Sequence, residues 1–280
     1  MTSPKHSLRK RFLAELSQGD DQINLAGAAL MVAREEYLQL PEERYLSQLD
    51  LLAEETRDRL DDETAPLFVL QELLNTLYNR HGFRGNREAY YDPRNSFLND
   101  VLDRKLGIPL TLGIVVLEVG WRLGLPLEGV NFPGHFLVRF RGDAIDLLID
   151  PYDGGAVRFE DEAQELLDRV YGGMIRVDDS FLQPATKREM LVRMLVNLKS
   201  LYLNVRDHGR ALAVVERLLL IRPLRSAEIR DKGVILARLG RKREALEQLE
   251  AYLNVAPDAS DSQRILGMVE ELKNGSGTTE

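Results

Sequence analysis

The fifteen residues from Leu106 to Gly120 contain one charge, Glu118, and one hydroxyl, Thr111. A helix that is apolar on every side has to be enclosed by the rest of its chain, and at this length it falls short of the ~20 residues that cross a bilayer. The segment therefore reads as a buried core helix opened by Gly107-Ile108-Pro109. Pro109 suits the first turn, where the N–H it lacks has no helical partner. From Gly129 the period changes. Val130, Phe132, Phe136, Val138 and Phe140 alternate with other residues, the turn Arg141-Gly142-Asp143 follows, and Ala144 to Ile149 completes a predicted pair of antiparallel strands. Asp150-Pro151-Tyr152-Asp153-Gly154-Gly155 closes the region as a tight turn, whose last three residues also have the composition of an anion-binding nest.

Helices are predicted on both sides of this segment. Ala26 to Tyr37, Pro41-Glu42-Glu43 on to about Leu60, and Ala65-Pro66-Leu67 on to about Tyr78 carry helical spacing or a helix-opening proline. The loop Gly82-Phe83-Arg84-Gly85-Asn86 ends this block. Tyr90-Tyr91-Asp92-Pro93-Arg94-Asn95-Ser96 then leads into a helix bearing Phe97, Val101 and Leu102, with Ser96 or Asn95 as the expected cap. Glu160 to Val170 reads as a further amphipathic helix. Towards the C-terminus, residues 210–219 recur 34 residues later as 244–253, and Pro223 recurs as Pro257. That period, with Ala211 and Ala245 at equivalent helix contacts, is the tetratricopeptide pattern. The expected divisions are a helical region 1–85, a mixed core 86–183, two repeats 184–258, and a C-terminal helix and flexible tail 259–280.

The chain has no cysteine among 280 residues. This excludes disulfides, thiolate ligands and thiol chemistry, and it is compatible with a reducing compartment. With no signal-like apolar stretch near Met1, a cytoplasmic protein is expected. His6, His81 and His208 show no ligand spacing with His135, so neither a metal nor another cofactor is expected. The net charge of −8 is uneven: residues 184–225 carry +6 and residues 1–183 carry −12. Such a basic stretch faces either the acidic part of its own chain, a second copy, or an external polyanion. Tyr202 is its only aromatic ring, which argues against nucleic acid.

Four motifs, Tyr91-Asp92-Pro93-Arg94-Asn95-Ser96-Phe97-Leu98-Asn99, Gly107-Ile108-Pro109-Leu110-Thr111-Leu112, Leu123-Gly124-Leu125-Pro126-Leu127-Glu128-Gly129 and Phe132-Pro133-Gly134-His135-Phe136-Leu137-Val138-Arg139, together resemble the bacterial SirB-type family. The resemblance covers roughly residues 30–260. It implies a predominantly helical α+β fold, with a transglutaminase/papain-like core between N-terminal helices and a C-terminal pair of tetratricopeptide-type hairpins. In transglutaminase-like sequences a cysteine opens the buried helix, a histidine lies on one strand and an aspartate follows the next. Here His135 and Asp150 match the last two. Counting back from Gly124-Leu125-Pro126 puts Pro109 at the cysteine, and the family pattern itself has Ile-Pro there.

A cysteine acyl-transfer site needs a thiolate at a helix N-terminus and a histidine oriented by an acid or amide. Pro109 has no nucleophile. The resemblance therefore implies a non-catalytic binding or regulatory module, with Asn95, Asn99, Pro109, His135 and Asp150 around a cleft for a protein, peptide or small ligand, and with repeats that bind protein. The competing expectation is a hydrolase or acyltransferase. It would use Thr111, His135 and Asp150 as a hydroxyl triad, with Asn95 or Asn99 donating to an oxyanion. A Thr111 hydroxyl within reach of the His135 ring favours the enzyme; one turned into the core removes it. The oligomeric state and the identity of any partner are left open.

Overall fold

The apolar run folds as the helix Pro109–Arg122, buried at every position from Pro109 to Gly120. Its single charge explains how. The Glu118 carboxylate accepts the Ala26 N–H at 2.8 Å and pairs with Arg122 at 2.6 Å. Ala26 lies in the first turn of the helix Leu25–Ala33, where free N–H groups and the helix dipole favour an anion. The desolvated acid is thus matched by a donor and a cation rather than left uncompensated.

The computed structural model describes residues 4–60, 65–142 and 145–274, so Asp143 of the expected turn, Ala144 of the expected strand and the expected tail from 275 on lie outside the described residues. The chain divides within one helix into two compact units, Met1–Met194 and Leu195–Glu280. In the first unit the elements are α1 (Pro4–Leu16), α2 (Leu25–Ala33), α3 (Glu42–Arg57), α4 (Pro66–Leu74), β1 (Arg84–Gly85), α5 (Leu98–Arg104), β2 (Leu106–Gly107) and α6 (Pro109–Arg122). There follow β3 (Leu127–Val130), β4 (Leu137–Arg141), β5 (Asp146–Asp150), β6 (Ala156–Arg158), α7 (Ala163–Tyr171), β7 (Pro184–Ala185) and α8 (Lys187–Asn204), which runs on into the second unit.

The expected first strand is split, since Val130 ends β3 and Phe132 to Phe136 lie in the connection to β4; β4 and β5 are the observed pair, within a larger antiparallel sheet ordered β6-β5-β4-β3-β7. Its register pairs Gly129 with Val138 and Val138 with Ile149. The helix α6 packs on β3 and β4, and Gly120 admits Leu127 where a Cβ would stand 2.2 Å from its Cδ1. On the sheet, Val130, Phe132, Leu137 and Leu148 meet Ala163, Leu166 and Leu167 of α7 in one buried cluster. The two-residue strands β1 and β2 pair in parallel, Gly85 with Gly107. They are too short to leave a period in the sequence.

Three local expectations are corrected. The helix α2, capped by the Asn24 side chain, ends at Ala33 rather than Tyr37. The helix α4 continues as a π-helical segment, Asn75–Arg80, and Asn95 and Ser96 sit inside a 3-10 turn, Pro93–Ser96, rather than capping α5. The cap of that turn is Asp92, whose side chain accepts the Arg94 N–H at 3.0 Å.

The second unit continues α8 with α9 (His208–Ile221), α10 (Ser226–Arg238), α11 (Lys242–Val255) and α12 (Ser262–Asn274). Ala211 and Ala245, the small residues of the 34-residue repeat, have no exposed surface. Gly233 of α10 lies where a Cβ would come within 2.6 Å of Leu249 on α11. Small residues at these helix contacts are what the repeat requires to bring its helices close.

Candidate binding site

Antiparallel pairing of β4 with β5 brings the residues ahead of β4 to the end of β5. His135 is not on the strand itself: Pro133-Gly134 forms a turn, with Gly134 at φ +67°, and the His135 N–H donates to Phe132 O at 3.0 Å. From that turn His135 Nε2 lies 2.8 Å from Asp150 Oδ1, with the side chains 14% and 4% exposed. Asp150 Oδ1 also accepts the backbone N–H groups of Tyr152 (3.0 Å) and Asp153 (3.1 Å). Burial pushes the Asp150 carboxyl up, but the hydrogen bond and charge of His135, with those two N–H donors, outweigh it and hold it below its ordinary value. An ionised Asp150 takes Nε2–H from the imidazole, which leaves Nδ1 on the opposite side of the ring with no partner among the described residues.

Gly113, in the first half of α6, lets the helix approach the segments that carry this pair. A Cβ there would stand 2.5 Å from the Phe136 ring and 3.5 Å from Pro151, the residues that follow His135 and Asp150. The buried helix thus packs against the two segments that carry the histidine and the aspartate. The nucleophile is what has gone. Pro109 is the buried first residue of α6.

Thr111 does not replace it. Its hydroxyl is fully buried, donates to Asn95 O at 2.6 Å and accepts the Ile108 N–H at 3.2 Å. With its one proton committed to a carbonyl, the expected Thr111/His135/Asp150 triad is not formed. Asn95 is also turned inward: its amide donates to Ala89 O (2.7 Å) and Tyr90 O (3.1 Å) and accepts from Asn86 (3.0 Å). It therefore fixes the loop 86–92 instead of facing an oxyanion. Asn99 is 4% exposed, and its Oδ1 has no partner among the described residues.

The loop that Asn95 fixes carries residues sequence reasoning missed. Tyr90 stacks edge to face on Tyr152 with centroids 6.0 Å apart, and Tyr152 on His135 at 6.2 Å. Arg87 lies over the Tyr152 ring at 5.7 Å and pairs with Asp153 at 2.7 Å. Burial raises the Tyr90 hydroxyl while the charge of Arg193 lowers it, and burial likewise raises Tyr152. Arg193, from α8, donates to His135 O at 2.6 Å. The tyrosines were visible as aromatic residues in two turns, but nothing in the sequence brings those turns together. No group of three or more potential metal ligands occurs among the described residues.

A transglutaminase-like superfamily model matches residues 43–196, over half the chain, and a tetratricopeptide repeat model matches 198–270. A UPF0162 protein of Xylella fastidiosa is 35% identical over 258 residues, covering 91% of this chain and 92% of the relative. The chain belongs to the bacterial SirB/UPF0162 family. Within it, a UPF0162 protein of Pseudomonas aeruginosa is 30% identical with coverages of 88% and 89%, and Protein SirB1 of Salmonella typhimurium is 27% identical with coverages of 84% and 87%. No solved structure matches. This SirB/UPF0162 chain joins a transglutaminase-like module to tetratricopeptide repeats of the kind that mediate protein–protein interaction. The module lacks the catalytic cysteine and is non-catalytic in the chemistry of that fold. No helix among the described residues is long and apolar enough to cross a membrane.

Proposed function

We propose that the cleft beside α6 is a ligand-binding site, in which His135 and Asp150 present a fixed imidazole to a peptide or small molecule while the repeats engage a protein partner. The observation that carries this reading is the His135–Asp150 pair at 2.8 Å, kept oriented although no nucleophile stands beside it. A histidine anchored through Nε2 offers Nδ1 as a fixed acceptor, or as a donor once protonated, and hydrogen bonds from pre-oriented groups favour recognition by lowering the ordering cost of binding. Pro109, Asn95 and Asn99 belong to the same proposal as wall and support of the cleft.

Tetratricopeptide repeats supply the second half of the reading, because stacked helical hairpins present extended binding surfaces. A cytoplasmic location is part of the proposal and is checked by fractionation. The binding claim is tested by affinity capture with the full chain and its His135→Ala variant, followed by titration of the captured partner's peptides against both. A partner lost from the variant, with peptide affinity reduced at least about ten-fold, is the expected result. Identical capture and affinity would sink the cleft reading.

A further inference from the structure

Arg193 is a cation held against the His135 turn, with no anion among the described residues. Its Nη1 donates to Asn131 Oδ1 (3.3 Å) and Phe132 O (3.2 Å), and its Nη2 to His135 O (2.6 Å), all neutral acceptors. The Nε–H and one Nη2 hydrogen remain without a partner among the described residues. Partial burial lowers the guanidinium from its ordinary value, and the group that faces its charge is the Phe136 ring, 5.9 Å from the guanidinium carbon, rather than any carboxylate among the described residues. Arginine partly withdrawn from water and held against carbonyls is costly without a counter-ion, and its planar donors match a carboxylate's two oxygens. Arg87, the other nearby arginine, is already paired with Asp153.

The surroundings select among anions. The Tyr90 hydroxyl has no hydrogen-bond partner among the described residues, and Tyr90 remains 41% exposed with its ring against Tyr152. Tyr152 in turn stands against the His135 ring. These rings offer an apolar face beside the charge, whereas a dianion such as phosphate would meet one unpaired arginine and the buried Asp150 carboxylate nearby.

We infer that His135, Arg193, Tyr90 and Tyr152 form a carboxylate site: Arg193 and the Tyr90 hydroxyl hold the carboxylate, and the tyrosine rings cover an apolar or aromatic group next to it. The inference rests on the reading of this cleft as a ligand site. A peptide's C-terminal carboxylate and an acidic side chain next to an apolar residue share this chemistry, and the probes distinguish them.

The full chain is titrated with N-acetyl-Gly-Phe, with its C-terminal amide, and with N-acetyl-Phe-Glu carrying an amidated C-terminus, following the Arg193 Nε–H and His135 ring signals by NMR. Saturable shifts with the first or third probe, and affinity at least about ten-fold weaker for the amide of the first, are expected. Whichever acid binds more tightly identifies the source. Tyr90→Phe, which keeps the ring, is expected to weaken that acid several-fold. Arg193→Lys is expected to weaken it about ten-fold even if the His135 signals of the free protein stay in place. Equal affinity of the tighter-binding acid and its neutral counterpart, the amide of the first probe or N-acetyl-Phe-Gln amide for the third, overturns the carboxylate inference and leaves the cleft reading standing. No saturable shift with any probe also overturns it, and unchanged partner capture by His135→Ala then removes the cleft reading as well.

Discussion

The two halves of the site differ in what has become of their polar groups. At the start of α6, Pro109 and Thr111 are buried, and the Thr111 hydroxyl joins two stretches of backbone. In the His135 turn, by contrast, the His135–Asp150 pair is anchored through Nε2 and leaves Nδ1 without a partner among the described residues. One half spends its polar groups on backbone, and the other leaves one ring nitrogen uncommitted among the described residues. On the proposed reading of the cleft, the difference separates substitutions that damage stability from those that damage binding.

The comparison breaks most readily at Thr111. Thr111→Val keeps the shape but removes the donor to Asn95 O and the acceptor for Ile108 N–H, both fully buried. Leaving two such groups unsatisfied costs about 3 kcal/mol. Denaturant unfolding should find this loss, while the fraction still folded binds ligand as wild type does. A variant of wild-type stability would mean that the hydroxyl is not part of the core.

Asp150 tests the other half with a smaller effect. Its pKa is lowered on folding from an ordinary 3.8. The stabilisation is therefore fully present above that value and is lost as pH falls through the lower, folded pKa. Asp150→Asn should cost about 2 kcal/mol near neutrality, and the gap from wild type should close below about pH 4. A gap independent of pH would show that the carboxylate is not ionised in the folded protein. His135→Ala should cost less, about 1.5 kcal/mol, because Asp150 retains the N–H groups of Tyr152 and Asp153. Its larger consequence is lost ligand affinity, the reverse of Thr111→Val.

Much of this division was legible in the sequence, and the limits have physical reasons. The apolar run 106–120 specified a buried helix and the 34-residue repeat specified the helical hairpins, because each pattern extends over many residues; the alternation from Val130 marked β-structure but hid the turn at 131–136 that divides it into β3 and β4. The Asp150 side of the site could be read because a short strand pair brings its ends together. The direction of the Thr111 and Asn95 side chains could not, since a hydroxyl at a helix start serves equally as a cap, a core bond or a ligand contact. Arg193 was hidden for another reason: it reaches the His135 loop from α8, 58 residues along the chain, and its basic neighbours had suggested only a charged surface.

Pro109→Cys should have the smallest effect on stability and gives the finest resolution between the two halves. Proline at the first helical position lacks only an N–H that would have no intrahelical acceptor. Replacing it should cost less than about 1 kcal/mol, chiefly through a more flexible unfolded chain. The helix N-terminus would favour the thiolate, but a thiol at this position is enclosed, and buried cysteines are inert. The expected outcome is that iodoacetamide leaves the native variant unmodified and labels it on unfolding, at a rate that His135→Ala does not change. Rapid native labelling that depends on His135 would show that the start of α6 is open to the cleft. The two halves would then differ by the lost thiol alone, and the burial of Pro109 would no longer explain why one of them is closed.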